Sequence, residues 1–182
     1  MTTPKGHGID LLDGKTVIVF SDSHGDTLHM ERALRRQCAA QKPDMMIFLG
    51  DGLFDFNRLE CGFPSIASVA VAGNCDRLGD RPSSSYETVV EIFSHRVFVT
   101  HGHMYDVKSG YGKIAARAAS LDADIVLFGH THAAVDTVCE TGDGRTVRLI
   151  NPGSVTVGPD RSFALLHFMP GGEVVCGFGR PV

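Results

Sequence analysis

The chain has 182 residues, of which 43% are hydrophobic and 21% are charged, and its formal net charge at pH 7 is −4. This length is typical of one domain whose core needs no disulfide or structural metal, so we expect a single domain over residues 1–182. The acidic balance excludes an overall basic surface of the kind that binds nucleic acid or an acidic membrane.

The first two thirds of the chain alternate between strand and helix patterns, after an expected loose arm over residues 1–14. Short apolar and β-branched runs predict five strands, at Thr16–Phe20, Met45–Leu49, Ser68–Ala72, Arg96–Thr100 and Ile125–Phe128. Apolar residues at helical spacing predict helices near Thr27–Gln41 and Gly110–Leu121. The stretch Gly52–Pro64 carries two glycines and a proline, which predict a loop with room for one helical turn.

The C-terminal third changes to short strands separated by glycine-rich turns. The predicted strands are Val135–Glu140, Thr146–Asn151, Ser162–Phe168 and Glu173–Phe178. Strand–helix alternation followed by a β meander indicates an α/β fold. We expect two sheets packed face to face, with helices on the outside.

Five short motifs rich in histidine and carboxylate follow the first five predicted strands. They are Asp22-Ser23-His24, Gly50-Asp51, Gly73-Asn74-Cys75-Asp76, His101-Gly102-His103 and Gly129-His130-Thr131-His132. Since α/β folds collect their sites where strands end, we expect these side chains to converge. Carboxylate, amide and imidazole groups are ligands of divalent metals. Seven ligands, with the Asp51 carboxylate shared, would give two ions four protein ligands each and leave room for water and phosphate.

Together with Asn151-Pro152-Gly153-Ser154, these motifs resemble those of the calcineurin-like metallophosphoesterases, most closely the small single-domain prokaryotic phosphodiesterases. The resemblance spans roughly residues 15 to 170. It implies a four-layer α/β/β/α sandwich of two mixed sheets. It also implies two metal sites that share Asp51, the first completed by Asp22, His24 and His132 and the second by Asn74, His101 and His130.

By the same resemblance, the protein is a phosphoric ester hydrolase in which a metal-bridging hydroxide attacks a small, nucleotide-like phosphodiester. Manganese is the first choice of metal, and the ligand types also suit iron, nickel, cobalt or zinc. Many relatives carry a histidine after the Gly-Asn pair that protonates the leaving alcohol, but this chain has Cys75 there, which we interpret as a small buried thiol. His103 is therefore our catalytic candidate, to contact phosphate or donate the proton, ahead of Asp76.

Two other functions stay open. The acidic charge and small size weigh against a nuclease, and the filled ligand positions weigh against a non-catalytic scaffold like the retromer subunit of similar fold. Relatives often form dimers or tetramers, so a homo-oligomer is also left open. Five widely spaced cysteines without a CxxC pair favour a reducing compartment. With no apparent signal peptide or transmembrane run, we expect a cytoplasmic protein that binds no membrane and acts on a small phosphate ester.

Overall fold

A computed structural model of the chain describes residues 14–77, 79 and 85–181. The predicted arm therefore lies outside the described residues, except for Gly14. The helices are α1 Thr27–Ala40, α2 Leu53–Gly62 and α3 Gly112–Ser120, and a 3-10 turn lies at His103–Tyr105. The strands are β1 Lys15–Phe20, β2 Met45–Phe48, β3 Ala67–Ala70, β4 Glu87–Ile92, β5 His95–Thr100, β6 Ile125–Leu127, β7 Ala134–Glu140, β8 Thr146–Pro152, β9 Phe163–Phe168 and β10 Val174–Gly179.

The strands form two mixed five-stranded sheets, in the orders β10-β9-β1-β2-β3 and β4-β5-β6-β8-β7. In the first sheet β1, β2 and β3 are parallel, and β9 runs antiparallel to β1. In the second sheet β5, β6 and β8 are parallel, flanked by the antiparallel edge strands β4 and β7. Parallel strands bring their carboxyl ends to one edge of a sheet, and this edge carries the motifs.

Apolar side chains fill three layers between the elements. Alternate residues of the two sheets, such as Val19 and Val99, face each other in the central layer. The opposite face of the first sheet, including Phe20 and Phe48, packs on α1 and α2. The outer face of the second sheet, including Phe98, packs on α3. The implied α/β/β/α sandwich is therefore confirmed.

Two local features differ from the sequence analysis. The stretch predicted as a loop at Gly52–Pro64 contains the ten-residue helix α2, and that prediction was wrong. The helix buries Leu53, Phe56 and Leu59 on one face. The backbone amides at its start donate hydrogen bonds to the carboxylate of Asp76, which is distant in sequence. Strand β4 was not predicted, and it pairs with β5 through a tight hairpin. None of the helices in the described part of the chain has the length and apolar character to span a bilayer.

Candidate metal centre

Six of the seven predicted ligands come together at the sheet edge, in loops that follow β1, β2, β5 and β6. With Cys75, these side chains form three clusters. Within each cluster the donor atoms lie within 4.8 Å of one another, a spacing that could hold a metal ion. Their members are Asp22, His24 and His132; Asp51, His101 and His130; and His24, Asp51 and Cys75. Because His24 and Asp51 each belong to two clusters, the donor atoms form one continuous site.

Short distances within and between the clusters show how closely the donors converge. His132 Nε2 lies 3.2 Å from Asp22 Oδ1 and 3.3 Å from His24 Nε2. His101 Nε2 lies 3.4 Å from Asp51 Oδ2 and 4.0 Å from Asp22 Oδ1. The buried His101 ring therefore joins the two carboxylates, one from the loop after β1 and the other from the loop after β2.

Five of these residues adopt left-handed backbone conformations, which side chains other than glycine seldom do. The φ angles are 56° at Asp22, 46° at His24, 59° at Asp51, 66° at His130 and 61° at His132. Each such residue costs on the order of 1 kcal/mol or more and persists only where its surroundings enforce it. Strained backbone of this kind is concentrated at functional sites. Here it occurs at five candidate ligands whose side chains converge on one site.

Hydrogen bonds from the surrounding backbone orient the most buried donors. His101 Nδ1 donates to the Leu49 carbonyl at 2.7 Å, which leaves Nε2 facing the site. Asp22 Oδ2 accepts hydrogen bonds from Ser21 Oγ at 2.6 Å and from the His130 amide at 3.2 Å. Its other oxygen, Oδ1, faces His132 and His101. In each residue, one polar atom of the side chain is therefore held by a hydrogen bond, while the other polar atom faces the site.

Unpartnered buried atoms mark the same place. Among the described residues, the buried side-chain nitrogen and oxygen atoms without a hydrogen-bond partner are Asp22 Oδ1, His101 Nε2 and His103 Nδ1. A buried polar atom left unpaired costs about 1–3 kcal/mol, so native proteins rarely leave several together. An anionic oxygen and an imidazole nitrogen are donors that divalent transition metals bind. The residues present therefore fit a divalent cation.

Burial and mutual charge shift the pKa values of the clustered groups. Burial raises the pKa of Asp22. Burial would also raise the pKa of Asp51, but the interaction with the charged His101 ring outweighs it and lowers that pKa well below its usual range. Burial and the charge of His101 lower the pKa of His130 to about 4. At neutral pH Asp51 is therefore anionic and His130 neutral, the forms that bind metal.

The whole arrangement matches a known family. The sequence fits the model of the calcineurin-like phosphoesterase superfamily domain over residues 16–169, which is most of the chain. The chain belongs to this superfamily. It is 34% identical over 154 residues to the probable metallophosphoesterase YsnB of Bacillus subtilis, covering 82% of each chain. It is 28% identical over 144 residues to a probable metallophosphoesterase of Mycoplasma pneumoniae, covering 78% of this chain and 79% of that one. The resemblance inferred from the motifs is confirmed.

Solved structures of metallophosphoesterase fold align with nearly the whole chain. A Streptococcus pneumoniae protein described as a predicted phosphoesterase is 27% identical, with a TM-score of 0.66 over 91% of this chain and 97% of that one. An archaeal phosphodiesterase gives a TM-score of 0.61 at 22% identity, over 90% and 99%. Zinc-bound Vps29 of Entamoeba histolytica gives 0.57 at 21% identity, over 92% and 99%. At such identities the last two likenesses show the fold alone.

The loop after β3, which carries Asn74 and Cys75, borders the candidate metal centre at Asp51. Asn74 is exposed, and its amide nitrogen donates to Cys75 Sγ at 3.3 Å. Cys75 is also exposed, so our interpretation of it as a buried thiol was wrong. Its backbone amide donates to Asp51 Oδ1 at 2.8 Å, because Gly73 allows the loop to approach the carboxylate. A Cβ atom at Gly73 would lie 2.0 Å from Asp51 Oδ1.

His103, the catalytic candidate, lies just behind the donor clusters, on the 3-10 turn that follows β5. Its ring centroid lies 5.4 Å from that of His101 and 6.3 Å from that of His130. The ring also makes an edge contact with Tyr86, and its Nδ1 atom is buried without a partner. Burial and the charge of His101 lower the pKa of His103. The ring is close to the centre, but it is not in any of the three donor clusters.

Two carboxylates support the site in ways that the sequence analysis did not assign. Asp76 accepts hydrogen bonds from the backbone amides of Asp51 at 2.7 Å, Gly52 at 2.8 Å, Leu53 at 2.9 Å and Gly73 at 2.9 Å. It therefore caps α2 and joins two site loops, and both its oxygens are occupied. Asp55 Oδ2 accepts from Ser23 Oγ at 2.7 Å and from the Gly25 amide at 2.8 Å. Asp55 lies on the buried face of α2, a helix that the sequence analysis did not predict, so the sequence pattern gave no signal for this role.

The Asn151-Pro152-Gly153-Ser154 segment forms hydrogen bonds to two of the loops that carry the candidate ligands. Asn151 Nδ2 donates to the Gly129 carbonyl at 2.8 Å, immediately before His130. Ser154 Oγ donates to the Asp22 carbonyl at 2.8 Å. The segment thus connects the loop after β1 with the loop after β6, and these two loops carry Asp22, His24 and His132.

Proposed function

We propose that the protein is a phosphodiesterase that hydrolyses a small, nucleotide-like phosphate diester with the help of two divalent ions. The observation that carries this proposal is the convergence of the donor clusters on two buried, unpartnered atoms, Asp22 Oδ1 and His101 Nε2. Membership of the phosphoesterase superfamily supports the reaction class. Diester substrates and a dinuclear site are our extension of that class to this chain.

The proposed ligands are Asp22, His24, Asp51 and His132 for one ion, and Asp51, Asn74, His101 and His130 for the other. The clusters around Asp22 and around Asp51 support this division. A shared role for Asp51 is supported by its place in two donor clusters, one with His24 and the other with His101 and His130. When bound, two such ions supply a hydroxide nucleophile near neutral pH and offset charge on the phosphate.

The side chains of the protein would orient this chemistry. The bond from His101 to Leu49 fixes the ring before any ion arrives, and the left-handed loops hold Asp22 and Asp51 toward the same point. We propose that His103 contacts a phosphate oxygen or donates the proton to the leaving alcohol. Its unpartnered Nδ1 and its place beside His101 and His130 support that role. Asp76 is the weaker candidate because its carboxylate is bound by four backbone amides.

Manganese is the metal we propose first, with iron, nickel, cobalt and zinc as alternatives. A set of carboxylate, amide and imidazole donors suits all of these ions. We further propose that the chain works as a single domain in the cytoplasm. Its five free cysteines are consistent with a reducing compartment.

Hydrolysis of bis-p-nitrophenyl phosphate by metal-stripped protein tests the proposal. Turnover should be absent without metal and should rise and saturate as manganese is titrated back. The monoester p-nitrophenyl phosphate, assayed in parallel, shows whether diesters are preferred. A folded protein that gives no turnover with manganese, nickel, cobalt or zinc would contradict the proposal.

A non-catalytic binding scaffold is the second candidate. The observation behind it is that several structural neighbours are Vps29 proteins, with TM-scores of 0.66 and 0.62 for those of Cryptosporidium parvum and Chaetomium thermophilum. Their identity of 20% to this chain carries the fold and no function. A nuclease is the third, and tight, salt-sensitive binding of single-stranded DNA would favour it.

A further inference from the structure

A cavity of about 430 Å³ opens beside His132, one of the candidate metal ligands. His132 belongs both to the wall of this cavity and to the cluster with Asp22 and His24. A group attached to a phosphate at that cluster therefore has the cavity within reach. The rest of the wall consists of Ala133, Ala134, Val157, Gly158, Pro159 and Asp160.

The far wall of the cavity is tied to the site loop. Thr156 Oγ1 donates to the carbonyls of Asp22 and Ser23, at 3.0 Å each. Ser154 Oγ, which donates to the same Asp22 carbonyl, accepts from the Val157 amide at 2.8 Å. The backbone at Val157 is therefore held at a fixed place relative to Asp22, so the cavity and the donor cluster keep their relative position without a ligand.

The chemistry of the wall differs from that of the adjacent cluster. Its side chains are small and apolar, and Val157 is 41% exposed to solvent. The lining contains a carboxylate, Asp160, which forms an exposed ion pair with Arg180 at 3.5 Å. Because the lining, among the residues that the structure describes, holds no lysine or arginine that could pair with a second phosphate, this wall favours an uncharged group. The volume lies within the range of pockets that bury small organic groups.

We propose that this cavity binds one organic group of the phosphodiester, an uncharged aromatic ring of about nucleobase size. The inference rests on the proposed function, because it needs a phosphate bound at the Asp22, His24 and His132 cluster. It names a property of the substrate that the donor clusters do not decide. A diester with an aromatic group should bind more tightly than one with only small alkyl groups.

Binding of two phosphonates tests the cavity without any turnover. Phenylphosphonate and methylphosphonate share the anionic group and differ in the ring, and calorimetry on the manganese-loaded full chain gives both dissociation constants. The expected preference for phenylphosphonate is about tenfold, since burying a ring contributes on the order of one decade of affinity. Val157→Trp fills the cavity, and Val157→Asn makes its wall polar. Each variant should reduce the preference for phenylphosphonate and leave the affinity for methylphosphonate unaltered.

Val175→Trp is the matched control, because Val175 is an exposed valine on β10 outside the cavity wall. This variant should keep the preference of the parent chain. Equal affinity for the two phosphonates in the parent, an unchanged preference in both Val157 variants, or failure of phenylphosphonate to bind would overturn the inference. Loss of the proposed function looks different: bis-p-nitrophenyl phosphate would not be hydrolysed, while the preference for the ring would remain.

Discussion

The candidate metal centre has a buried wall and an open wall, and they are held in place differently. Asp22 and His101 on the buried wall have side chains with 0% exposure, whereas 30% of His24 and 34% of His132 on the open wall are exposed. Backbone and hydroxyl groups fix the buried residues, as at Leu49 and Ser21. The two open histidines contact each other and Asp22. The buried half of the site is therefore fixed by hydrogen bonds to the surrounding fold, whereas the open half is held by contacts among the donor side chains themselves.

The largest expected effect is at Asp51, which we place between both ions. Asp51→Asn removes the anionic charge and should lower turnover of bis-p-nitrophenyl phosphate by about 1,000-fold or more, since the charge that holds both ions is lost. His24→Asn, on the open wall, should cause a smaller loss because it affects one ion. Elemental analysis of the loaded variants should give less manganese bound to Asp51→Asn than to His24→Asn. Retained activity in Asp51→Asn would contradict the shared role and favour a scaffold.

His103→Asn should lower kcat by about 100-fold, the lower range for loss of a group that transfers a proton in the transition state. His103 lies outside the donor clusters, so the manganese content should not change. Steady-state kinetics with metal analysis of the same sample check both statements. An unaltered kcat would assign the buried ring a structural role beside Tyr86. A loss of manganese would instead place it among the ligands.

Asp76→Asn should lower the free energy of unfolding by about 2 kcal/mol, because backbone amides that the carboxylate now satisfies lose their charged acceptor. Urea denaturation of the metal-free protein measures this change. Asp160→Asn, at a carboxylate that is 88% exposed, is the matched control and should have little effect. Equal stability of the two variants would show that the cap on α2 contributes little.

The smallest expected effect is a pH dependence of the metal-free protein that comes from His130. Its pKa is about 4 in the folded chain, below the ordinary value of 6.5. The unfolded chain therefore binds more protons between these values, so this stabilising contribution is complete above about pH 6.5 and is lost as the pH falls toward 4. In His130→Gln, the loss of stability between pH 6.5 and 4.5 should be smaller than in the parent.

His101, on the buried wall, should act in the opposite direction. Burial lowers its pKa, but the carboxylates of Asp51 and Asp22 outweigh burial and raise it. Its contribution is thus present below about pH 6.5 and is lost as the pH rises through the folded pKa. Denaturation curves of His101→Gln at rising pH would check this, with His95→Gln as a comparison outside the site. Identical pH dependence in the His101 variant and the parent would contradict the assigned sign.

Much of the fold could be predicted because the relevant signals are local. Short apolar and β-branched runs located the strands β1, β2, β5 and β6 to within about a residue or two, and helical spacing located α1, which Asp26 caps from the adjacent position. Helix α2 was missed because its cap, Asp76, comes from more than twenty residues further along the chain. Such a cap leaves no mark near the helix that it stabilises.

The sequence by itself determined the types of side chain available at each strand end, and hence the superfamily and the chemistry open to the site. The tertiary structure decided which atoms of those side chains remain unpartnered, that Asp76 caps a helix, and that Cys75 is exposed. It also decided that the loop around Val157 forms a cavity wall beside His132. The physical reason is that residue type and spacing follow the chain, whereas hydrogen-bond partners and cavity walls come from loops that only sheet pairing brings together.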